Sequence, residues 1–180
     1  MTEPPASAPG ATPPRAQRHR PAMPGYGVRV TADGMLPWAW AQERLTRSRT
    51  YWVATVRPDG RPHLMPVWGV WAGGRLVFSS GLRSRKVRNL VGEPRVAVAT
   101  DQGDEPVVVE GAAALLAAED DRRAFLAALN VKYDTAYGAA LVDPAVNATV
   151  AVTPRWVFAL DDTAFESSPT AWTFPGDARA

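Results

Sequence analysis

The 180-residue chain has no cysteine and only two histidines, His19 and His63. The first absence excludes disulfides, thiol nucleophiles, cysteine-ligated zinc and iron–sulfur clusters together. The second excludes a multi-histidine metal centre, so no metal site is expected, and any Ser-His-Asp triad would have to use one of these two residues. Lysine is nearly missing, with two residues against eighteen arginines. No apolar run approaches the roughly 18 residues that span a bilayer, and the first residues lack the apolar stretch of a secretory signal. A soluble, cytoplasmic protein without membrane contact is expected. Net charge is also small: +2 in all, of which residues 1–30 carry +3 and residues 31–180 carry −1. A near-neutral body whose basic residues are not spread into a stripe is a poor match for nucleic acid.

What is present can build a core. The chain is 46% hydrophobic and 21% charged, the balance of a single globular domain at this length. Seven of the 17 prolines lie in the first 24 residues, among small and polar side chains. Such a segment cannot offset its ordering entropy, which predicts a disordered tail over residues 1–30 and a folded domain over residues 31–180. In that domain Trp38, Ala41 and Leu45 have helical spacing. Strand-like runs follow at 51–57, 61–71, 75–80, 95–100, 107–116, 149–152 and 155–161, separated by turn residues such as Pro58-Asp59-Gly60 and Gly73-Gly74. Short helices are expected at 84–91 and 118–132. The connections between neighbouring strands are too short for parallel crossovers. The expected class is therefore mainly β (α+β), a six-stranded antiparallel barrel, closed or nearly so, with flanking helices.

Two charge clusters interrupt this pattern. Residues 101–121 carry seven acids and no base, and Asp101 to Glu105 superficially resemble a metal cluster, although a hairpin setting favours a solvated turn. The basic cluster is the more informative one. Arg83, Arg85, Lys86, Arg88 and Arg95 meet only Glu93. If Ser84 caps a helix, Val87, Leu90 and Val91 form its apolar face, while Arg85, Arg88 and Asn89 lie opposite with Lys86 at the edge. Cations in the first turn oppose the helix dipole by roughly 0.3–1 kcal/mol each. An anion would reverse that penalty. Free backbone N–H groups, the Ser84 hydroxyl and a forked guanidinium form a phosphate-binding set, and Ser79 and Ser80 at the end of the preceding strand add donors. The competing reading is a solvated basic helix face.

Residues 51–68, Tyr-Trp-Val-Ala-Thr-Val-Arg-Pro-Asp-Gly-Arg-Pro-His-Leu-Met-Pro-Val-Trp, followed by Phe-Ser-Ser-Gly-x-x-Ser-Arg-Lys-x-Arg-Asn-Leu at 78–90, resemble the pyridoxamine 5′-phosphate oxidase-like superfamily. Within it they resemble the flavin/deazaflavin oxidoreductases that use coenzyme F420. The resemblance spans residues 36–174. It implies a split β-barrel homodimer with F420, or alternatively FMN, at the subunit interface, and hydride transfer to a small unsaturated or quinone-like acceptor. An FMN-dependent oxidase or reductase, and a non-catalytic flavin or deazaflavin carrier, are the other readings. By the same resemblance Ser79, Ser80, Ser84, Arg85, Lys86 and Asn89 match phosphate-binding positions, and Met65, Pro66, Val67 and Trp68 match the strand along the tricyclic ring. The family ending Thr-Arg-Trp-x-Phe stands here as Thr170-Ala171-Trp172-Thr173-Phe174, with alanine in place of arginine. No catalytic acid or base is implied, since hydride transfer asks the protein chiefly for positioning and water exclusion.

The remaining candidates have plainer readings. His63 is expected to bond backbone or solvent. Trp38, Trp40, Trp52 and Trp71 suit a core or dimer interface, whereas Trp68 and Trp172 could wall a ring-shaped ligand. Lys132, Tyr133, Tyr137 and Gly138 resemble a family segment near the active-site mouth, but a surface helix is the expected setting.

Overall fold

In the computed structural model, residues 16–175 are described. Helix α1 (Trp38–Arg47) starts after Pro37, whose fixed φ suits a helix start, and buries Ala41, Arg44 and Leu45. Strand β2 (Tyr51–Val56) alternates buried and outward side chains, as period-2 packing requires. A turn in which Gly60 takes φ 81° leads into β3 (Pro62–Val67), with Thr55 opposite His63 and Trp52 opposite Pro66. The expected single run over 61–71 breaks at Trp68-Gly69 into β3 and a short β4 (Val70–Ala72). Strand β5 (Arg75–Gly81) returns along β4, and α2 (Arg85–Gly92) follows. Strands β6 (Arg95–Thr100) and β7 (Val107–Leu115) form the next hairpin, and α3 (Glu119–Tyr133) carries three acids in its first turn, where they complement the helix dipole.

The two segments expected at 149–152 and 155–161 are one strand, β8 (Asn147–Ala159). It runs on past Pro154 because the register shifts there, opposite Glu110 and Gly111 of β7. A Cβ on Gly111 would stand 2.2 Å from the Thr153 carbonyl oxygen, so the close passage admits only glycine. One side of β8 pairs with β7 over that strand's whole length. Its other side pairs first with β5 and then with β9 (Thr170–Thr173). The sheet is antiparallel in every described pairing and does not close among the described residues, leaving β1 (Gln17–His19), β3 and β4 as edges. Mainly antiparallel β with flanking helices is thus the class found, as a split barrel with nine strands among the described residues rather than six.

The tail boundary at residue 30 needs correction. Strand β1 (Gln17–His19) pairs with β9, and the Arg20 guanidinium donates to the carbonyl oxygens of Thr31, Asp33, Ser167 and Pro169. Apolar side chains are indeed scarce here; backbone pairing and a five-donor guanidinium supply the order instead. Residues 1–15 of the expected tail and residues 176–180 of the expected domain lie outside the described residues.

A main core lies inside the sheet, with Tyr51, Phe78, Val150 and Trp172 among its buried members, and a second cluster beneath α3 gathers Val77, Phe125, Leu129 and Tyr133. The acidic turn is held to the fold rather than freely solvated. The Asp101 carboxylate accepts from Ser48 Oγ at 2.8 Å and Thr50 N at 3.1 Å, and Glu105 accepts from both Arg44 and Arg47 of α1. Among the described residues no group of three or more metal-ligating side chains occurs, and no helix is long and apolar enough to cross a membrane.

Candidate cofactor-binding site

Strand β5 and the start of α2 bring the basic cluster together as its sequence predicts. Ser84 is the N-cap, in extended backbone, and its hydroxyl accepts from Val87 N at 3.4 Å. Ser80 Oγ donates to Ser84 Oγ at 3.1 Å and accepts from Lys86 Nζ at 3.0 Å. Burial pushes the Lys86 ammonium below its ordinary pKa, so the charge is partly withdrawn from water before any ligand arrives. No acid stands in the first turn of α2, and none of the described ion pairs engages Arg85, Lys86 or Arg88. Strand alternation turns Ser79 the other way, where its hydroxyl donates to Leu141 O at 2.7 Å.

A cleft of about 200 Å³ opens beside this cluster, lined by Pro66, Val67, Trp68, Ser79 and Lys86 together with Phe125, Leu129, Tyr137 and Leu141. Five of the candidate residues therefore share one wall system, and Ser80 and Ser84 join it through Lys86. Met65, 42% exposed, stands on β3 beside Pro66. Arg85 is exposed on the first turn of the helix. The cleft is smaller than the 300–1,000 Å³ typical of enclosed ligand sites, so it can hold part of a large ring ligand, with the rest lying over exposed Met65 and Trp68. A larger cleft of about 580 Å³ on the outer sheet face, lined by Ala54, Val56, Pro62, Arg95, Glu110 and Arg155 among others, contains none of the candidate residues.

Two candidates are placed elsewhere. Asn89 is 2% exposed rather than outward-facing; α2 lies across β2 and β3, and Asn89 Nδ2 donates to Thr55 Oγ1 at 2.9 Å. Trp172 is 2% exposed and meets Trp38 edge-on, with ring centroids 5.4 Å apart, because β9 turns it inward against the core. It lines no part of the cleft and offers no ring face to a ligand.

The end of α3 is more than a surface helix. Tyr133 is buried, and its ring stacks on Trp68 with centroids 4.5 Å apart and planes 5° from parallel. The Tyr133 hydroxyl accepts from Gly69 N at 3.0 Å and donates to Arg49 O at 2.8 Å. Lys132 Nζ donates to Tyr51 OH at 2.8 Å and Gly69 O at 3.1 Å. Burial brings the Lys132 pKa down to about 8, with Arg49 adding to the effect and Asp101 opposing it, and desolvation drives the Tyr51 phenol upward. The break between β3 and β4 is thereby clamped from below, and the indole that forms one cleft wall is held flat. Phe125 and Leu129 were legible only as an apolar helix face; that this face borders a cleft required the sheet beneath it.

Comparison with known proteins fits this geometry. The pyridoxamine 5′-phosphate oxidase family model matches residues 39–161. No curated protein matches. Among solved structures, a conserved hypothetical protein of Mycobacterium tuberculosis, Rv2991, is 25% identical over 73% of this chain and 89% of its own, with a TM-score of 0.64. An F420 reductase is 29% identical over 64% of this chain and 94% of its own, with a TM-score of 0.53. A NimC/NimA family protein of Clostridium acetobutylicum shares the fold at 16% identity, covering 74% of this chain and 90% of its own, with a TM-score of 0.59. With more than half its length matched by the family model, and the serine–lysine cluster and cleft built from residues inside the matched stretch, the chain belongs to the pyridoxamine 5′-phosphate oxidase family.

Proposed function

We propose that this protein is an oxidoreductase that binds a phosphorylated flavin or deazaflavin, with coenzyme F420 preferred over FMN, and serves a small unsaturated or quinone-like acceptor. The observation that carries the reading is the Ser80–Ser84–Lys86 cluster at the α2 N-terminus, cationic, lacking an acid, and opening beside an aromatic-walled cleft. That donor set fits a phosphate: two hydroxyls, an ammonium, the adjacent Arg85 guanidinium and the free N–H groups of the first turn. Similarity to an F420 reductase supports the deazaflavin over FMN.

When bound and reduced, such a cofactor supplies the hydride. The chain's own part is binding and orientation. Ser80, Ser84, Arg85 and Lys86 would anchor the phosphate, and Trp68, Pro66 and Val67 would set the plane of the ring. Phe125 and Leu129 would exclude water from one side. The open side faces Met65, 42% exposed on the edge strand β3. A second copy of the chain covering that side would complete the site, so a homodimer belongs to the reading.

Fluorescence titration of the purified protein tests it. F420 is expected to bind more tightly than FMN; the reverse order would assign FMN, and binding of neither would overturn the proposal. Rapid mixing of the reduced complex with enones and quinones is expected to reoxidise it. Absence of reoxidation across such a panel would leave a carrier.

A further inference from the structure

Lys86 and Arg85 do not make up all the basic charge at this end of α2. His63 sits on β3 opposite Thr55, half-buried, with Nδ1 3.4 Å from Thr55 Oγ1. Because Thr55 Oγ1 also accepts from Asn89 of α2, the imidazole is tied to the helix that carries the serine–lysine cluster. Arg57, one residue past β2, has its Nε shut off from solvent without a hydrogen-bond partner. The hairpin's own carboxylate, Asp59, is turned to Arg61, whose Nε and Nη2 donate to it at 3.0 and 2.7 Å. The charged groups that bear on His63 are Arg57, Lys86 and Arg85, all cations, and with desolvation as the larger cause they hold the imidazole below its ordinary pKa. His63 on β3, Arg57 just past β2, and Arg85 and Lys86 on α2 are thus the basic groups of this corner, with no carboxylate among the groups acting on His63.

We infer that His63 and Arg57 belong to the same anion site as the α2 cluster, and that His63 takes up one proton from solvent when the anion binds. The inference rests on the phosphate reading of that cluster. Its logic is electrostatic. With only cations around it, the neutral imidazole is favoured near pH 7. A phosphate placed among the same cations reverses the local field and favours the imidazolium, typically by a pKa unit or more for an opposite charge within 4–6 Å. The proton then contributes to binding only in the window between the free and bound midpoints. Affinity rises as pH falls through that window, by about tenfold for each unit separating the two midpoints.

The test uses the full chain carrying His19→Gln, which leaves His63 as the sole imidazole. Its Cε1–H resonance is followed against pH by NMR in the free protein, and with saturating FMN, F420 or riboflavin. The midpoint is expected below 6.5 in the free protein, and to rise by at least one unit with FMN or F420 but not with riboflavin, which lacks the phosphate. FMN or F420 bound with the midpoint unmoved would overturn this inference and leave the phosphate reading standing. Binding of neither would overturn both. Arg57→Gln is expected to weaken FMN or F420 binding about tenfold and to raise the free His63 midpoint; unchanged affinity and midpoint would remove Arg57 from the site. His63→Gln is expected to flatten the rise in affinity between pH 8 and pH 6, and a rise equal to that of the unaltered protein would again overturn the proton uptake.

Discussion

The acidic turn at 101–105 and the basic turn at 83–86 are both dense in charge, and the fold treats them in opposite ways. Asp101 and Glu105 are matched to named donors on α1 and the segment after it, so their charge is consumed in docking that helix to the β6–β7 hairpin. Arg85 and Lys86 stand at a helix N-terminus, where the dipole is against them, and no described carboxylate answers either. A cluster whose partners come from its own chain stabilises the fold. One that no described carboxylate of its own chain answers, at a local cost, is what the proposed phosphate reading requires.

That contrast can be broken by exchange of effects. The largest is expected from Lys86→Ala, which should weaken F420 or FMN binding by about 1.5–3 kcal/mol, the size of a charged hydrogen bond, with little change in thermal midpoint. A fluorescence titration alongside a melting curve reads both; lost stability with retained affinity would make Lys86 a fold residue. Glu105→Gln should show the reverse, since it leaves Arg44, 9% exposed, with only the exposed Glu43 as a carboxylate partner. About 1–3 kcal/mol of stability should disappear in urea unfolding while cofactor affinity holds.

The same carboxylate gives a pH signature. Its pKa is lowered, first by the hydrogen bond from Arg44, so its stabilisation is present above the unfolded carboxylate value of about 4.3 and is lost as pH falls through the lower folded one. Unfolding curves below pH 4.5 should therefore be less steep in pH for Glu105→Gln than for the unaltered protein. The smallest effect is expected from Arg85→Ala. Removing a first-turn cation should raise the stability of the cofactor-free protein by about 0.3–1 kcal/mol, and the gain should vanish once F420 is present. A loss in the cofactor-free state would mean that Arg85 already has a use in the fold.

Much of the site was legible because it is local in sequence: a strand end, a cap and one helical turn place Ser80, Ser84 and Lys86 within reach of one another wherever the rest of the chain goes. Asn89 shows the limit. A helical wheel puts it with Arg85, yet the wheel does not say that α2 lies across β2 and β3, so one residue of that face meets Thr55 while Arg85, a turn earlier, is exposed. Trp172 was misplaced for a similar reason, since its side of β9 is decided by pairing with β8, where it stands opposite buried Val157. Lys132 and Tyr133 acquire their roles from Arg49, Tyr51, Trp68 and Gly69, all more than sixty residues earlier in the chain. Order at residues 17–20 was invisible to an argument from apolar content because it depends on carbonyl oxygens, which every sequence has.

The long strand β8 also bears on how the chain reaches its fold. It fills the gap between β5, β7 and β9, and Leu76 must wait for Val152 to find its neighbour. The β4–β5 hairpin and the β3–β2–β6–β7 array pair internally without β8, but until β8 arrives they are halves with no common seam, presenting unpaired edges and apolar faces. Folding should therefore be governed by a few distant pairings, slow relative to hairpin closure and sensitive to crowding by like chains. Once β8 is seated, neither half can open without tearing the strand they share, so the two should be lost together in a single transition.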